Sequence, residues 1–210
     1  MKHITMLLAL IEFLTIVSCQ KDEVGYNQDL HYDTFTDSRD GRIYKTIEIG
    51  NQIWMAENLK YNDFEEMTYC NYGRMYTISS NRDYCPKGWH IPDSAEFMEL
   101  INFLGGAEIA GSKMKEVGND HWKNPNTDAT NSSGFTALPA GFADDTYGLQ
   151  AREESAQFWT STEKKDPDYY CGNSYYYISL HYKSSKVTFF HSSDECDFFE
   201  QRSVRCVKNK

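Results

Sequence analysis

The sequence predicts a mixed α+β domain in which two helices separate groups of short strands that pair mainly antiparallel. Three observations support this fold class. Apolar and polar residues alternate near both ends of the chain, over residues 42–49 and 175–191, which is typical of half-buried strands. The middle of the chain carries a helical repeat that follows a capping signal. The 15 tyrosines and the turns rich in Gly and Asn suit a loop-rich fold built on strands.

The first strands form a predicted hairpin. Residues 42–49 alternate in polarity, Gly50-Asn51 provides a turn, and residues 52–56 return as the second strand. The aromatic segment at residues 70–78 follows, and its pattern fits either a strand or a short helix.

The two predicted helices follow each other directly. Asp93 is the expected N-cap of the first, and Glu96 three residues later completes a capping box. An apolar stripe then recurs at helical spacing and consists of Phe97, Leu100, Ile101 and Leu104. Gly105-Gly106 ends this helix, and residues 107–117 are predicted to form the second.

The rest of the chain is predicted to be a long loop followed by short strands. Residues 118–135 are rich in Asn, Thr, Ser, Gly and Pro and form the loop. Strands are expected over residues 135–142, 157–161, 175–182, 186–191 and 203–207, of which 175–191 forms a hairpin turning at residues 183–185.

The N-terminus has the layout of a secretory signal. Lys2 is followed by a mostly apolar run at residues 6–17, which is too short for a membrane-spanning helix, and then by Ser18 and Cys19. The tetrapeptide at residues 16–19 resembles a bacterial lipobox, in which the cysteine is acylated and becomes the new N-terminus. We therefore expect a lipoprotein signal peptide at residues 1–18 and a lipid, such as palmitate, on Cys19. The alternative is a buried N-terminal helix.

The segment after Cys19 is predicted to be an acidic tether. Residues 20–23 resemble the acidic export tag of surface lipoproteins of the Bacteroidetes group, although a solvated linker would have the same composition. Residues 19–38 show no sustained periodicity, so the domain is expected to occupy residues 39–210. These features predict a protein that is lipid-anchored in the outer membrane and faces the cell exterior.

The charge of the chain limits its partners. Lys and Arg number 21 against 31 Asp and Glu, which gives a net charge of −10. This balance argues against binding nucleic acid and against electrostatic docking on anionic lipid. The expected contact with the membrane is therefore the acyl anchor on Cys19, and no cofactor is expected.

Several segments together carry a family resemblance. They are DGRIYKT at 40–46, IGNQIWMAENL at 49–59, CPKGWHIP at 85–92, NSSGFTALPAG at 131–141, FWTSTE at 158–163 and SVRCV at 203–207. In this order, over about residues 38–208, they resemble the Fibrobacter succinogenes major paralogous domain family of secreted and lipid-anchored bacterial proteins. The resemblance implies a C-type-lectin-like fold and no general enzymatic activity.

The six cysteines suit an oxidising compartment. If Cys19 carries lipid, five remain for two disulfides and one leftover thiol, Cys70. C-type-lectin-like domains join the first helix region to the last strand by a disulfide, and the resemblance therefore implies that Cys85 pairs with Cys206. Cys171 and Cys196 flank the predicted late hairpin, so we expect them to pair across its base. No metal is expected, because the sequence has no zinc-ligand spacing.

Aromatic side chains are the best candidates for ligand contacts. We expect Trp122 and one face of the late strand, formed by Tyr175, Tyr177 and His181, to bind a ligand, with packing as the alternative for Trp122. The opposite face is expected to lie in the core and consists of Tyr176, Ile178, Leu180 and Tyr182. The other tryptophans, Trp54, Trp89 and Trp159, are also predicted to be core residues.

The leading hypothesis is a non-enzymatic binding or adhesion domain whose partner is a glycan or another surface protein. The His residues are scattered, and no Ser or Cys has an evident general base in the sequence, so no catalytic residue is assigned. Two alternatives are a structural component of the cell surface and a cysteine-dependent catalyst similar to the formylglycine-generating enzymes. Asn124, Asn126 and Asp128 provide oxygen ligands in the long loop and are weaker candidates, for a calcium site.

Overall fold

The computed structural model describes residues 23–62, 69–70, 72–79, 83–164, 174–192 and 200–210 of the 210-residue chain. This part of the chain contains two helices, α1 at Ser94–Phe103 and α2 at Ala107–Met114. Its strands are β1 Asp33–Thr36, β2 Ile43–Ile49, β3 Gln52–Met55, β4 Tyr69–Cys70, β5 Gly73–Tyr76, β6 Trp89–His90, β7 Phe142–Asp144, β8 Gly148–Gln150, β9 Ser155–Lys164, β10 Ser174–His181, β11 Val187–His191, β12 Arg202–Ser203 and β13 Val207–Lys208.

The strands form two main sheets and a small hairpin. One sheet has the order β1-β2-β3-β13-β6, the other has the order β11-β10-β9-β12-β5-β4, and β7 and β8 form a two-stranded hairpin. Neighbouring strands are antiparallel except that β12 runs parallel to β9. The predicted α+β class is confirmed, with strands in the majority. None of the helices described here is long and apolar enough to cross a bilayer.

Local signals set the start and the end of α1. The carboxylate of Asp93 accepts the Glu96 backbone N–H, and the Glu96 carboxylate accepts the Asp93 N–H, so the predicted capping box is present. All four residues of the predicted apolar stripe are buried. Gly105 and Gly106, both with positive φ, separate α1 from α2. α2 ends at Met114, three residues before its predicted end.

The first hairpin has the predicted register, with Ile47 of β2 opposite Trp54 of β3. The predicted final strand at residues 203–207 is wrong as one continuous element. It is divided into β12, which belongs to the larger sheet, and β13, which belongs to the other. The chain crosses between the sheets at Arg205, whose buried guanidinium donates to the backbone carbonyls of Met55 and Phe135.

The prediction of a strand over residues 135–142 is also wrong for most of its length. Only Phe142 belongs to a strand, and Ala137 and Gly141 form isolated bridges. Gly141 has φ +72°, and a Cβ there would lie 2.0 Å from the carbonyl oxygen of Gln150. The backbone at Gly141 therefore lies close against that of Gln150, and residues 135–141 do not form the regular strand that the sequence predicts.

Two apolar cores cover the two faces of the β9–β10 pair. The helix-side core contains Phe158, Ile178 and Leu180 together with the buried faces of α1 and α2. The disulfide-side core contains Trp159 and Tyr175 together with Cys85 and Cys206. Since both faces of this sheet are covered, residues of β10 on either face can be buried.

The predicted tether is wrong where the structure describes it. Residues 33–36 form β1, which pairs antiparallel with β2. We call residues 23–32 the N-terminal strap, and its side chains Tyr26, Leu30 and Tyr32 pack against the helix-side core. The folded domain therefore begins well before residue 39.

Cys85 and Cys206 form a disulfide, the pair that the family resemblance implies, and they are 121 residues apart in sequence. The other cysteine predictions, lipidation of Cys19 and pairing of Cys171 with Cys196, lie outside the described residues, as does the predicted signal peptide at residues 1–18.

Candidate functional site

A cleft of about 240 Å³ lies where the chain enters α1 and beside β9 and β10. Its lining combines apolar and polar side chains and includes Ile78, Ile91, Asp83, His90, Ser161 and Tyr175. At ~30 Å³ per molecule, the volume corresponds to about eight waters, which limits an occupant to a small molecule or to one unit of a larger one.

Hydrogen bonds fix the walls of this cleft. The Ser161 N–H of β9 donates to the Pro92 carbonyl at 2.9 Å, and the Ser94 N–H donates to the Thr162 hydroxyl at 2.8 Å. On the other side, the Asp83 carboxylate accepts the Cys85 N–H at 3.1 Å, next to the disulfide. The cleft is therefore built from segments that the rest of the fold holds in place.

Tyr175 contributes a buried polar atom to this region. Its side chain is only 4% exposed, and its hydroxyl finds no hydrogen-bond partner within the described part of the chain. Buried polar groups are almost always paired, and an unpaired one costs about 1–3 kcal/mol. Tyr175 therefore brings to the wall of the cleft a side chain whose hydroxyl has no hydrogen bond within the described residues.

His90 is held at both ring nitrogens. Nδ1 lies 2.7 Å from Oδ1 of Asn209, and Nε2 lies 2.8 Å from Oε2 of Glu96. Burial alone would lower the pKa of His90, but the hydrogen bonds to Asn209 and Glu96 and the charge of Glu96 outweigh it and raise the pKa. The doubly protonated ring satisfies both contacts best, because it donates from both nitrogens.

The structure places the predicted ligand residues differently from the expectation of one exposed aromatic face. Trp122 is 1% exposed and its indole N–H donates to the Ala137 carbonyl, so it is a core residue. Tyr175 is also buried, because its face of β10 packs against the disulfide-side core. Tyr177 is half-buried, and only His181 is exposed.

These residues form two separate groups. Tyr175 and Tyr177 belong to the disulfide-side core, whereas Trp122 and His181 both contact Lys115. Of the side chains predicted to lie in the core, Ile178, Leu180, Tyr182 and the three tryptophans are buried, and Tyr176 is half-buried.

Lys115 joins the long loop to the late hairpin. Its buried ammonium donates to the carbonyls of Thr127, His181 and Ser184, at 2.9 to 3.3 Å. Burial lowers the pKa of Lys115 to about 8, so the side chain carries a proton at neutral pH. Asp128, from the candidate calcium residues, instead accepts the Ser185 hydroxyl. Within the described residues, no three His, Cys, Asp or Glu side chains gather as metal ligands would.

Arg202 supports the aromatic residues next to the cleft. Its guanidinium carbon lies 3.6 Å from the ring centroid of Tyr177 and 4.4 Å from that of Trp159. Phe190 of β11 stacks on the outer side of Tyr177, with ring centroids 5.6 Å apart. The stacking holds Tyr177 in a fixed orientation at the rim of the disulfide-side core.

Sequence reasoning missed most of the cleft. Ser161 of β9 lies far from Ile78 and Asp83 in sequence, and no spacing signal connects it to them. His90 lies within a segment that carried the family resemblance, and Glu96 was recognised only as a helix cap. Their pairing becomes visible only when α1 is folded back toward β6.

Comparisons with known proteins identify the family. Neither the curated proteins nor the solved structures give a match to this chain. The family model described as the Fibrobacter succinogenes major domain matches residues 47–208. This match covers most of the chain and spans the cleft, α1, α2 and the Cys85–Cys206 disulfide, so the protein belongs to the Fibrobacter succinogenes major domain family.

Proposed function

We propose that the chain is an exported, lipid-anchored binding domain that takes an uncharged sugar unit in the cleft beside Tyr175. Acylation of Cys19 holds the domain on the outer membrane, facing the cell exterior. The domain acts by adhesion and not by catalysis. The observation that carries this proposal is that Tyr175, whose buried hydroxyl has no partner among the described residues, lines a small cleft with both apolar and polar side chains.

The chemistry of the lining favours a sugar. A sugar ring has apolar C–H faces and hydroxyl groups that both donate and accept hydrogen bonds. Ile78 and Ile91 offer apolar contact, while Asp83, Ser161 and Tyr175 offer polar atoms. The net charge of −10 makes an anionic ligand less favourable than an uncharged one.

The arrangement of the titratable groups supports binding over catalysis. Both ring nitrogens of His90 contact Asn209 and Glu96, and the Asp83 carboxylate accepts a backbone N–H. Neither ring nitrogen of His90 then has the free lone pair that a general base needs within reach of the substrate.

The C-type-lectin-like part of the proposal has its own support. The fold combines two consecutive helices with mainly antiparallel sheets, and a disulfide joins the region before α1 to the segment before the last strand. The oxidising compartment that such a bond needs agrees with export through a lipoprotein signal.

Binding of glycans by the chain spanning residues 20–210 tests the proposal. We expect an array of uncharged oligosaccharides to yield ligands, and Tyr175→Phe to weaken binding of the best one about tenfold, as expected for loss of one hydrogen bond. The same substitution removes an unpaired buried hydroxyl, so the midpoint of denaturant unfolding should stay level or rise.

Tyr182→Phe is the matched control, because Tyr182 is buried at the other end of β10 and does not line the cleft. It should leave glycan affinity unchanged. Absence of binding across the array, or equal affinity of Tyr175→Phe and the unsubstituted chain, would refute the proposal and favour a structural role at the cell surface.

A further inference from the structure

The N-terminal strap is fixed to the domain close to its first described residue. The Gly25 N–H donates to the buried Glu116 carboxylate at 2.5 Å, and the Asn131 side-chain amide donates to the Gly25 carbonyl at 3.4 Å. The other oxygen of Glu116 lies 2.7 Å from Nδ1 of His121. The strap is therefore held to the domain at Gly25 by two defined contacts.

Very little chain separates this place from the proposed anchor. Six residues lead from Cys19 to Gly25, and a fully extended chain of this length spans about 20 Å. A flexible chain spans less. An acyl group on Cys19 would therefore hold the attachment point of the strap close to the lipid headgroups.

Exposed apolar side chains surround the attachment point. Val117 follows Glu116 directly and is 51% exposed. Val24 packs against a small apolar cluster that also receives Leu149 of β8, and the turn two residues before Leu149 presents Tyr147, which is 74% exposed. Tyrosine is among the residues enriched where membrane meets water.

The charges around this surface favour uncharged lipid. Glu23, Asp120 and Asp145 are exposed in these segments, and the guanidinium of Arg152 lies over the ring of Tyr72, which belongs to the same apolar cluster that Val24 packs against. Acidic side chains oppose an anionic headgroup and leave a zwitterionic surface as the suitable partner.

We infer that the surface formed by Val24, residues 117–120 and residues 144–149, which we call the anchor face, rests on a zwitterionic lipid surface. The short segment between Cys19 and Gly25 and the apolar side chains Val117 and Tyr147 then give the domain one orientation on the membrane. This inference rests on the acylation of Cys19 proposed above.

Chemical lipidation tests the orientation independently of acylation by the cell. A chain of residues 19–210 begins with an N-terminal cysteine, which reacts selectively with a lipid thioester. The product is placed in phosphatidylcholine nanodiscs that contain gadolinium-chelating headgroups, and the loss of amide NMR signals is measured. We expect several-fold stronger loss at residues 117–120 and 144–149 than at the turns around Gly50 and Gly88.

Three variants sharpen the test. Val117→Ser combined with Tyr147→Ser, and separately a flexible ten-residue insertion after Asp22, should each even out the signal loss between these regions. Phe103→Ser, at an apolar side chain of similar exposure (64%) in α1, should leave the contrast unchanged. Phosphatidylglycerol nanodiscs at low ionic strength should weaken the contrast.

Uniform signal loss in the unsubstituted chain, or strongest loss at the Gly88 turn, would overturn the inferred orientation. Equal or stronger contrast on phosphatidylglycerol would overturn the assignment to zwitterionic lipid. Mass spectrometry of the protein exported by cells addresses the anchor itself. An unmodified Cys19 there would refute the acylation and not the geometry measured on the ligated chain.

Discussion

His90 is the side chain at the cleft whose charge the fold controls most directly. Contacts with Asn209 and Glu96 raise its pKa above the ordinary value of 6.5. Because the folded-state pKa exceeds the unfolded one, the stabilisation is complete below pH 6.5 and is lost as the pH rises through the folded-state pKa. We expect an NMR titration of the His90 ring to show a midpoint above 6.5.

Glu96→Gln isolates the role of the charge in this shift. The Gln side chain keeps an oxygen that can accept the Asp93 N–H, so the capping arrangement of α1 is preserved. The His90 midpoint should fall, since burial lowers the pKa once the carboxylate is absent. A midpoint that does not move would show that Glu96 is not the source of the raised pKa.

At the scale of residues, the sequence predicted burial better than it predicted exposure. Trp54, Trp89 and Trp159 are buried as expected, because each lies in an apolar segment. Tyr175 and Tyr177 share one face of β10, as the alternation predicts, but that face packs against the disulfide-side core and does not face solvent. No local pattern reveals which distant segments cover a strand face.

At the scale of elements, Lys115 replaces apolar packing as the link between the long loop and the late hairpin. Lys115→Met removes the ammonium group that donates to the carbonyls of Thr127, His181 and Ser184. These three part-buried carbonyls then lose that hydrogen bond. We expect a loss of about 3 kcal/mol in the free energy of unfolding, measured by denaturant titration. Amide exchange in residues 118–135 should also become faster.

Lys113→Met is the matched control, because Lys113 lies in the last turn of α2, two residues before Lys115, and its ammonium donates to one carbonyl, that of Leu104. This half-buried hydrogen bond should contribute at most about 1 kcal/mol to the free energy of unfolding. Equal losses for the two variants would contradict the bridging role of Lys115.

The elements that the sequence predicted well are those with local signals. The capping box and the apolar stripe define α1, and a two-residue turn defines the first hairpin. The strand expected at residues 135–142 and the undivided final strand failed because their conformations depend on distant partners. Arg205, for example, lies between the two sheets, where its guanidinium donates to the carbonyls of Met55 and Phe135.

At the scale of the whole molecule, the Cys85–Cys206 disulfide closes most of the described domain into one loop, whose ends are 121 positions apart in sequence. Replacing both cysteines by alanine should lower the free energy of unfolding by about 4–5 kcal/mol if the loss of loop-closure entropy in the unfolded chain dominates. Calorimetry or denaturant titration measures the change. A loss below about 1 kcal/mol would show that the unfolded chain is already constrained by other means.

The strap is the part of the molecule that family membership does not define, because the matched region begins at residue 47. Gly134 receives it. At φ +73°, a Cβ on Gly134 would lie 2.9 Å from Cδ1 of Leu30 and 3.0 Å from the hydroxyl of Tyr32. Gly134→Ala should therefore cost more than the ~1 kcal/mol that positive φ imposes on alanine.

Gly118→Ala is the control that measures only the cost of placing alanine at positive φ. Gly118 has φ +90°, and a Cβ there would meet no atom within 4 Å. The difference in unfolding free energy between the two variants then measures the displacement of the strap. In a chain shortened to begin at Asp33, this difference should shrink to what the contact with Ile47 leaves, because Leu30 and Tyr32 are absent. If the difference keeps its full size in the shortened chain, the strap does not stabilise the domain through its contacts with Gly134.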